Sequence, residues 1–171
     1  ININGSPFHS GKLQEREEML RTRAAENKCA IVYVNQVGGQ DELVFDGSSM
    51  VFDASGKLLA RAPQFTSGLS VVEIDLDKPV VAEVAPLSDR YEEMYGALVL
   101  GTRDYVRKNK FTDVVIGLSG GIDSSIVAAV AVEALGAEHV HGVAMPSRYS
   151  SDGSKTDAYA LAEALGIDCR T

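Results

Sequence analysis

The sequence predicts an α/β protein in two consecutive parts, and three observations carry that prediction. Apolar runs of strand length alternate with amphipathic stretches of helical length along the whole chain. The first half holds short, closely spaced strands suited to antiparallel pairing, whereas the second repeats strand, helix, strand, helix at about thirty residues, the pattern of a βαβ unit in a parallel sheet. Residues 76–88, with Pro79, Pro86 and mixed polarity, separate the halves, so the expected domains are 1–87 and 88–171.

Taken in order, Ile1 to Asn4 reads as a strand that runs into the turn Gly5-Ser6-Pro7. Residues 12–28 place Leu13, Met19, Leu20 and Ala24 near helical spacing and predict an amphipathic helix. Residues 29–35 are β-branched and apolar, which predicts a buried strand in which Cys29 is a structural thiol. Gly38-Gly39 should break that strand, and Gly38 to Gly47 reads as a flexible loop. Residues 49–53 and 58–61 flank the turn Ala54-Ser55-Gly56-Lys57 and predict a hairpin, with a further strand at 69–75. A helix is expected over 88–108, with Tyr91, Met94, Tyr95, Leu98 and Tyr105 on its packing faces. Beyond it come a buried strand at 113–118, a helix at 123–135 closed by Gly136, a strand at 140–145 and a helix at 155–165 closed by Gly166. The helix after Asp123 is apolar almost all round and should be buried against the sheet.

Composition narrows the function classes. The net charge of -8, from 16 basic against 24 acidic residues, argues against a nucleic-acid-coating role. No apolar run approaches the length of a membrane span, so neither a nucleic acid nor a membrane is an expected partner. The two cysteines, Cys29 and Cys169, make no disulfide framework and no C-x-x-C metal site, and both are expected to be structural in a reducing, cytoplasmic setting. The chain opens on a strand interior without an initiator Met, and is read as an excerpt of a longer polypeptide.

The chemistry concentrates in Ser119-Gly120-Gly121-Ile122-Asp123-Ser124-Ser125, between a strand and a helix. Ligands of open α/β sheets bind at the carboxyl ends of strands, where helix N-termini attract anions. Two glycines allow successive N–H groups to face one concavity, and three serines can add hydroxyl donors. Asp123 would repel a phosphate unless a hard cation such as Mg²⁺ lies between them. The loop is neither a G-x-x-x-x-G-K-[ST] P-loop nor a G-x-G-x-x-G dinucleotide loop. Its spacing also fits an ordinary tight βα turn with a serine helix cap.

Ser-Gly-Gly-Ile-Asp-Ser at 119–124 resembles the signature loop of the ATP pyrophosphatase superfamily, whose members split ATP between the α- and β-phosphates. Met145-Pro146-Ser147-Arg148-Tyr149-Ser150-Ser151, with Asp157-Ala158 and Leu161-Ala162, is similar to the NAD synthetases, which amidate deamido-NAD. In the first half, Asn4-Gly5-Ser6-Pro7-Phe8, Tyr33-Val34-Asn35 and Gly38 through Gly47 resemble the carboxyl-terminal part of a nitrilase-type glutaminase. In that order, the motifs resemble the glutamine-dependent NAD synthetase family. The fold implied is the last part of a nitrilase-like α/β sandwich followed by the first βαβ units of a doubly wound, Rossmann-like ATP pyrophosphatase domain.

The resemblance implies hydrolysis of glutamine by a Glu-Lys-Cys triad whose nucleophilic cysteine is expected upstream of Ile1, so that no catalytic residue is expected in this chain. It implies that Ser6 and Lys12 hold glutamine, with lysine acting as a point charge rather than a bidentate fork. For the second half it implies that Gly117, Leu118, Ser119, Gly120, Gly121, Ile122, Asp123 and Ser124 bind ATP and that Asp123 is a Mg²⁺ ligand. Arg148 fits a phosphate or carboxylate contact and a surface salt bridge equally. The expected substrates are deamido-NAD, ATP and glutamine, and the protein is expected to be a homo-oligomer. Two alternatives remain at this point: another glutamine-dependent ATP-pyrophosphatase amidotransferase, and a nucleotide-binding module without chemistry.

Overall fold

A computed structural model describes residues 1–75, 82–146 and 152–171, with the side chains of 152, 154 and 155 left aside. The expected boundary at 76–88 therefore lies partly, and Ser147 to Ser151 with Arg148 wholly, outside the described residues. The chain forms two compact units, residues 1–101 and 102–171. Among the described residues no helix is long and apolar enough to cross a membrane.

Unit 1 runs through β1 (Asn2–Asn4), α1 (Lys12–Asn27), β2 (Ile31–Asn35), β3 (Val37–Gln40), β4 (Leu43–Asp46), β5 (Met50–Phe52) and β6 (Leu58–Arg61) into α2 (Arg90–Lys108), which leaves the unit after Gly101. The sheet order is β1-β2-β5-β6, with β1 parallel to β2 and the other pairs antiparallel. A parallel pair needs a crossover, and α1 supplies it. Leu13, Leu20 and Ala24 of α1 pack on Tyr33, Met50 and Phe52 of the sheet. Burying a side chain such as Phe52 contributes about 1.5–3 kcal/mol. Lys28 ends α1 in the left-handed region at φ 49, and the next amide, Cys29 N–H, donates back to Ala24 O.

Several expectations change here. Cys29 is exposed rather than buried, because it sits in the helix-closing turn ahead of β2. Met19 is exposed as well, since the buried stripe of α1 is Leu13, Arg16, Leu20 and Ala24. Gly38 and Gly39 do not break a strand: they lie inside β3, which pairs with β4 from Val37↔Asp46 to Gln40↔Leu43. The hairpin turns at Asp41, with φ 50. Residues 69–75 form no strand, and Leu69 and Val71 are 93% and 88% exposed. Residues 82–85 take the free edge of β6 instead, through Ala82 N–H to Leu59 O, Arg61 N–H to Glu83 O and Ala85 N–H to Arg61 O. In α2, Tyr91, Met94, Leu98 and Tyr105 are exposed, and Glu93, Ala97, Leu100 and Val106 are the buried positions. Asp89 caps this helix by accepting from Tyr91 and Glu92 N–H while Glu92 accepts from Asp89 N–H, a capping box.

Unit 2 contains β7 (Val114–Leu118), α3 (Ile122–Leu135), a 3-10 turn (Ala137–His139), β8 (Val140–Ala144), α4 (Asp152–Leu165) and β9 (Asp168–Arg170). The three strands form a parallel sheet in the order β7-β8-β9, joined by helical crossovers as expected. Gly136 closes α3 at φ 97. The helix is buried on one face only, through Ala128, Val130, Ala131, Ala134 and Leu135, while Ile122 is 80% exposed. Likewise β7 alternates instead of being buried throughout, with Val115 71% exposed.

The starting ends of the strands carry a charged cluster. His141 Nδ1 is 2.5 Å from Asp168 Oδ1 and its Nε2 is 3.3 Å from Asp113 Oδ1. Asp113 also meets His139 and Thr112, and Asp168 meets Arg170. The hydrogen bonds to Asp168, then to Asp113, raise the His141 pKa above its ordinary 6.5. The bonds from Thr112 and then His141 hold Asp113 below 3.8, and the His141 bond does the same for Asp168. The His141 contribution to stability is thus complete below its ordinary value and is lost as the pH rises through the raised one. The carboxylate contributions are present above their ordinary value and are lost as the pH falls through the lowered ones. We expect the urea midpoint of the wild-type chain to drop more between about pH 6 and about pH 9 than that of Asp168→Asn. Parallel drops in the two proteins would remove the cluster from the account.

Candidate functional site

In unit 1, the turn after β1 and the first turns of α1 enclose a cleft of about 430 Å³ lined by Asn2, Asn4, Ser6, Lys12, Glu15, Arg16, Met19 and Tyr33. The structure therefore brings the two predicted residues, Ser6 and Lys12, to one cleft. Lys12 is half-buried, with Nζ 3.8 Å from Glu15 Oε2, and His9 in the same loop is exposed. The loop between β1 and α1 is held from several sides. Phe8 N–H donates to Val44 O at 2.7 Å, and the Phe8 ring meets Phe65 edge-on at 5.4 Å. Gly96 of α2 admits the Phe65 ring, since a Cβ there would lie 2.8 Å from it. Glu93, also on α2, accepts from Gln64 at 2.9 Å and from Gly11 N–H at 3.5 Å.

Behind the cleft lies a polar network that sequence reasoning missed. Arg16, 2% exposed, donates through Nη2 to Asp46 Oδ1 at 2.9 Å and through Nη1 to Asp46 Oδ2 at 3.1 Å. Its guanidinium lies over the Tyr33 ring, 5.7 Å from the centroid. Asn35 accepts from Ser6 N–H at 2.8 Å and donates to Ser6 O and to Asp46 Oδ1, both at 3.3 Å. Its own N–H donates to Ser49 Oγ at 3.0 Å. A signal for this was present: Arg16 falls on the Leu13, Leu20 and Ala24 stripe of α1, and a cation on a core stripe requires a buried counter-charge. The stretch from Gly38 to Gly47, read as a flexible loop, supplies that charge as Asp46 at the end of β4.

A second cavity of about 420 Å³ in unit 1 is lined mainly by aliphatic groups, among them Val32, Val51, Ala60, Val72 and Ile74. It contains neither Ser6 nor Lys12.

In unit 2 the predicted loop joins the carboxyl end of β7 to the start of α3, with Gly120 in the left-handed region at φ 76 and Gly121 extended at φ -93. Only one of the two glycines thus needs its special freedom. The first intrahelical bond runs from Ser125 N–H to Gly121 O, which leaves the amides of Ile122, Asp123 and Ser124 ahead of the ladder. The hydroxyls are engaged inside the loop. Ser124 and Ser125 both donate to Gly121 O, at 3.0 and 2.8 Å. Ser119 N–H donates to Ser124 Oγ, Gly121 N–H donates to Ser119 Oγ, and the Ser119 and Ser124 oxygens are 3.1 Å apart. Asp123 stands exposed in the first turn. Gly117 and Leu118 end β7, where a Cβ on Gly117 would lie 3.0 Å from Met145 Cε. Among the described residues, no group of three or more His, Cys, Asp or Glu is arranged to hold a metal ion. A cation at Asp123 therefore needs oxygens from a ligand, which is how Mg²⁺ is usually held beside phosphates.

Residues 1–80 match the model of the carbon-nitrogen hydrolase family, and residues 94–171 match that of NAD synthase. A glutamine-dependent NAD(+) synthetase of Aquifex aeolicus is 46% identical over an alignment covering 98% of this chain and 35% of the relative. One from Synechocystis is 45% identical over 100% of this chain and 31% of the relative. Among solved structures, the glutamine-dependent NAD+ synthetase of Acinetobacter baumannii in complex with ADP superposes with a TM-score of 0.94 at 43% identity, over 99% of this chain and 33% of that one. The chain thus spans about a third of the length of these relatives.

Asp46→Ala strands the Arg16 charge in the interior and is expected to cost about 3–5 kcal/mol in urea unfolding. Arg23→Ala, which breaks an exposed pair with Glu26, should stay within about 0.5 kcal/mol. Similar losses for the two would mean that Arg16 is hydrated after all.

Proposed function

We propose, on the premise that this chain is homologous along its whole length to the glutamine-dependent NAD(+) synthetases, that it is the junction of a two-part ligase. In this reading residues 1–87 contribute to a glutaminase and residues 88–171 to an ATP-dependent synthetase, a division that rests on the change of pattern in the sequence. The observation that carries the reading is the order of two unlike sites on one chain. A cleft with a hydroxyl and a cation comes first, and a helix-terminal loop whose first amides stand ahead of the helical ladder follows.

The reaction proposed is the amidation of deamido-NAD to NAD. Ser6 and Lys12 hold glutamine, with the lysine charge paired to the substrate carboxylate. A thiolate nucleophile, supplied by a part of the protein outside this chain, attacks the amide carbon, so that ammonia leaves and a thioester remains for hydrolysis to glutamate. Residues 117–124 bind ATP: the amides of Ile122, Asp123 and Ser124 and the positive end of the α3 dipole face the phosphates. The nicotinate carboxylate attacks the α-phosphate, pyrophosphate leaves, and ammonia then displaces AMP to form the amide. Preorganised amides are suited to the charge that develops on the phosphates, since they need no reorientation during the step. Asp123 is the carboxylate that would hold Mg²⁺, and the ion supplies neutralisation of phosphate charge when bound. We further propose that the protein is a cytoplasmic homo-oligomer.

The complete polypeptide carrying this chain is expected to form AMP and pyrophosphate only when ATP, Mg²⁺ and deamido-NAD are all supplied. Binding of ATP without cleavage would leave a nucleotide-binding module. Asp123→Asn should lower the rate of AMP formation by about tenfold or more while glutamine hydrolysis persists. Equal loss of both activities would give Asp123 a structural role.

A further inference from the structure

The cleft of unit 1 contains more fixed polar structure than Ser6 and Lys12 require, and the surplus has a direction. Asn35 grips the main chain of Ser6 at both ends, through its Oδ1 and its Nδ2, and so sets the turn that carries the hydroxyl. Arg16 Nη2 then donates to Ser6 Oγ across 3.5 Å, a long bond from a group that cannot accept one in return. A serine hydroxyl has a single proton. With a guanidinium filling one lone pair, that proton points away from Arg16, and Ser6 faces the cleft as a donor. Lys12 is a donor too, so both groups offer hydrogen to a ligand and suit a carboxylate or an amide carbonyl.

Arg16 cannot swing to do this by itself. Two parallel bonds fix its plane to Asp46, and Asp46 is tied to Asn35. Its Nε is buried without a partner among the described residues, a cost that packing alone gives no reason to keep. A buried ion pair can often be replaced by apolar groups without loss of stability, so one that retains an orphaned donor calls for a role other than stability.

We infer that Arg16, locked by Asp46 and Asn35, is a positioning residue that fixes the Ser6 hydroxyl as a hydrogen-bond donor to the carboxylate or amide carbonyl of the amino-acid substrate. The inference rests on the glutaminase reading above. It assigns Arg16 no contact with substrate, because its action passes through Ser6.

A double-mutant cycle in the complete polypeptide tests it. Arg16→Lys is expected to raise the KM for glutamine about tenfold with little change in kcat, the signature of lost binding rather than lost chemistry. Ser6→Ala should act alike, and combining the two should add less than about twofold to the more severe single change. Effects that multiply, or an Arg16→Lys change confined to kcat, overturn the positioning role. Asp46→Asn is taken through the same cycle, so a chain that fails to fold with Arg16→Lys still leaves a decision: effects of Asp46→Asn and Ser6→Ala that multiply also overturn it. Urea unfolding of each variant, run in parallel, reads whether the part that carries the substitution is folded. A wild-type polypeptide that hydrolyses no glutamine defeats the glutaminase reading, whereas glutamine turnover with multiplying effects defeats the positioning role alone.

Discussion

A guanidinium and a carboxylate that are both almost wholly removed from water have to stay paired, and four segments of unit 1 are arranged by that requirement. Arg16 arises from α1 and Asp46 from the end of β4, while Asn35 at the end of β2 joins the pair to the turn carrying Ser6. The desolvation of two charges is offset only when the fork geometry is close to ideal and the remaining lone pairs are filled. Asp46 meets this demand by accepting from Arg16 and Asn35, and Gly47 O accepts a further Arg16 bond at 3.4 Å. The helix therefore cannot rotate on the sheet without breaking the pair, and Lys12, one turn before Arg16, is held to the same face of the cleft. Precision at an exposed cleft is thus inherited from a buried contact behind it.

Unit 2 meets the opposite problem. Its parallel strands need helical crossovers, and each crossover leaves a helix N-terminus near a strand's carboxyl end. The loop from Leu118 to Ile122 is short enough that the β7 direction and the α3 axis are set within a few residues, with one left-handed residue, Gly120, making the reversal. At the opposite ends of the strands, His141 lies between Asp113 and Asp168 and links the starts of all three. The two ends are therefore fixed by different chemistry, side-chain charge at one and backbone geometry at the other.

Much of this was legible in the sequence, and the failures share a cause. The βαβ order, the helix-closing glycines at 136 and 166, and the placing of the serine-glycine loop at a strand end follow from local pattern, and they hold. Residues 69–75 looked like a strand because Leu69, Val71, Val72 and Ile74 make a short apolar run, yet a strand exists only if a partner edge is free, and residues 82–85 occupy the edge of β6. Gly38-Gly39 looked like a break because glycine weakens isolated strands, whereas the four-residue register with β4 overrides that weakness. Cys29 was assigned to the apolar run it opens, but it falls in the turn ahead of β2 and is exposed. In α2 the buried face is Glu93, Ala97, Leu100 and Val106 rather than the face of Tyr91, Met94, Leu98 and Tyr105. The Arg16–Asp46 contact joins positions thirty residues apart, which no local pattern displays. Only the presence of an arginine on an apolar stripe announced that such a partner must exist.

The three serines of the loop show how far residue type alone can mislead about role. Serines beside a phosphate site suggest hydroxyls aimed at the ligand, but each hydroxyl owns one proton. The Ser124 and Ser125 oxygens lie 3.0 and 2.8 Å from Gly121 O, and those of Ser119 and Ser124 lie 3.1 Å apart, so the hydroxyls are engaged with the loop itself. What faces outward is the set of amides at 122–124, which the serines hold in place by fixing Gly121. Amides carry no net charge and do not move, so they can stabilise charge wherever it develops on a bound phosphate without the cost of desolvating a cation. On the proposed reading, the serines are the scaffold of the loop and its backbone is the surface offered to phosphate. The division is the same as in unit 1, where buried side chains hold the geometry of the cleft that carries Ser6 and Lys12.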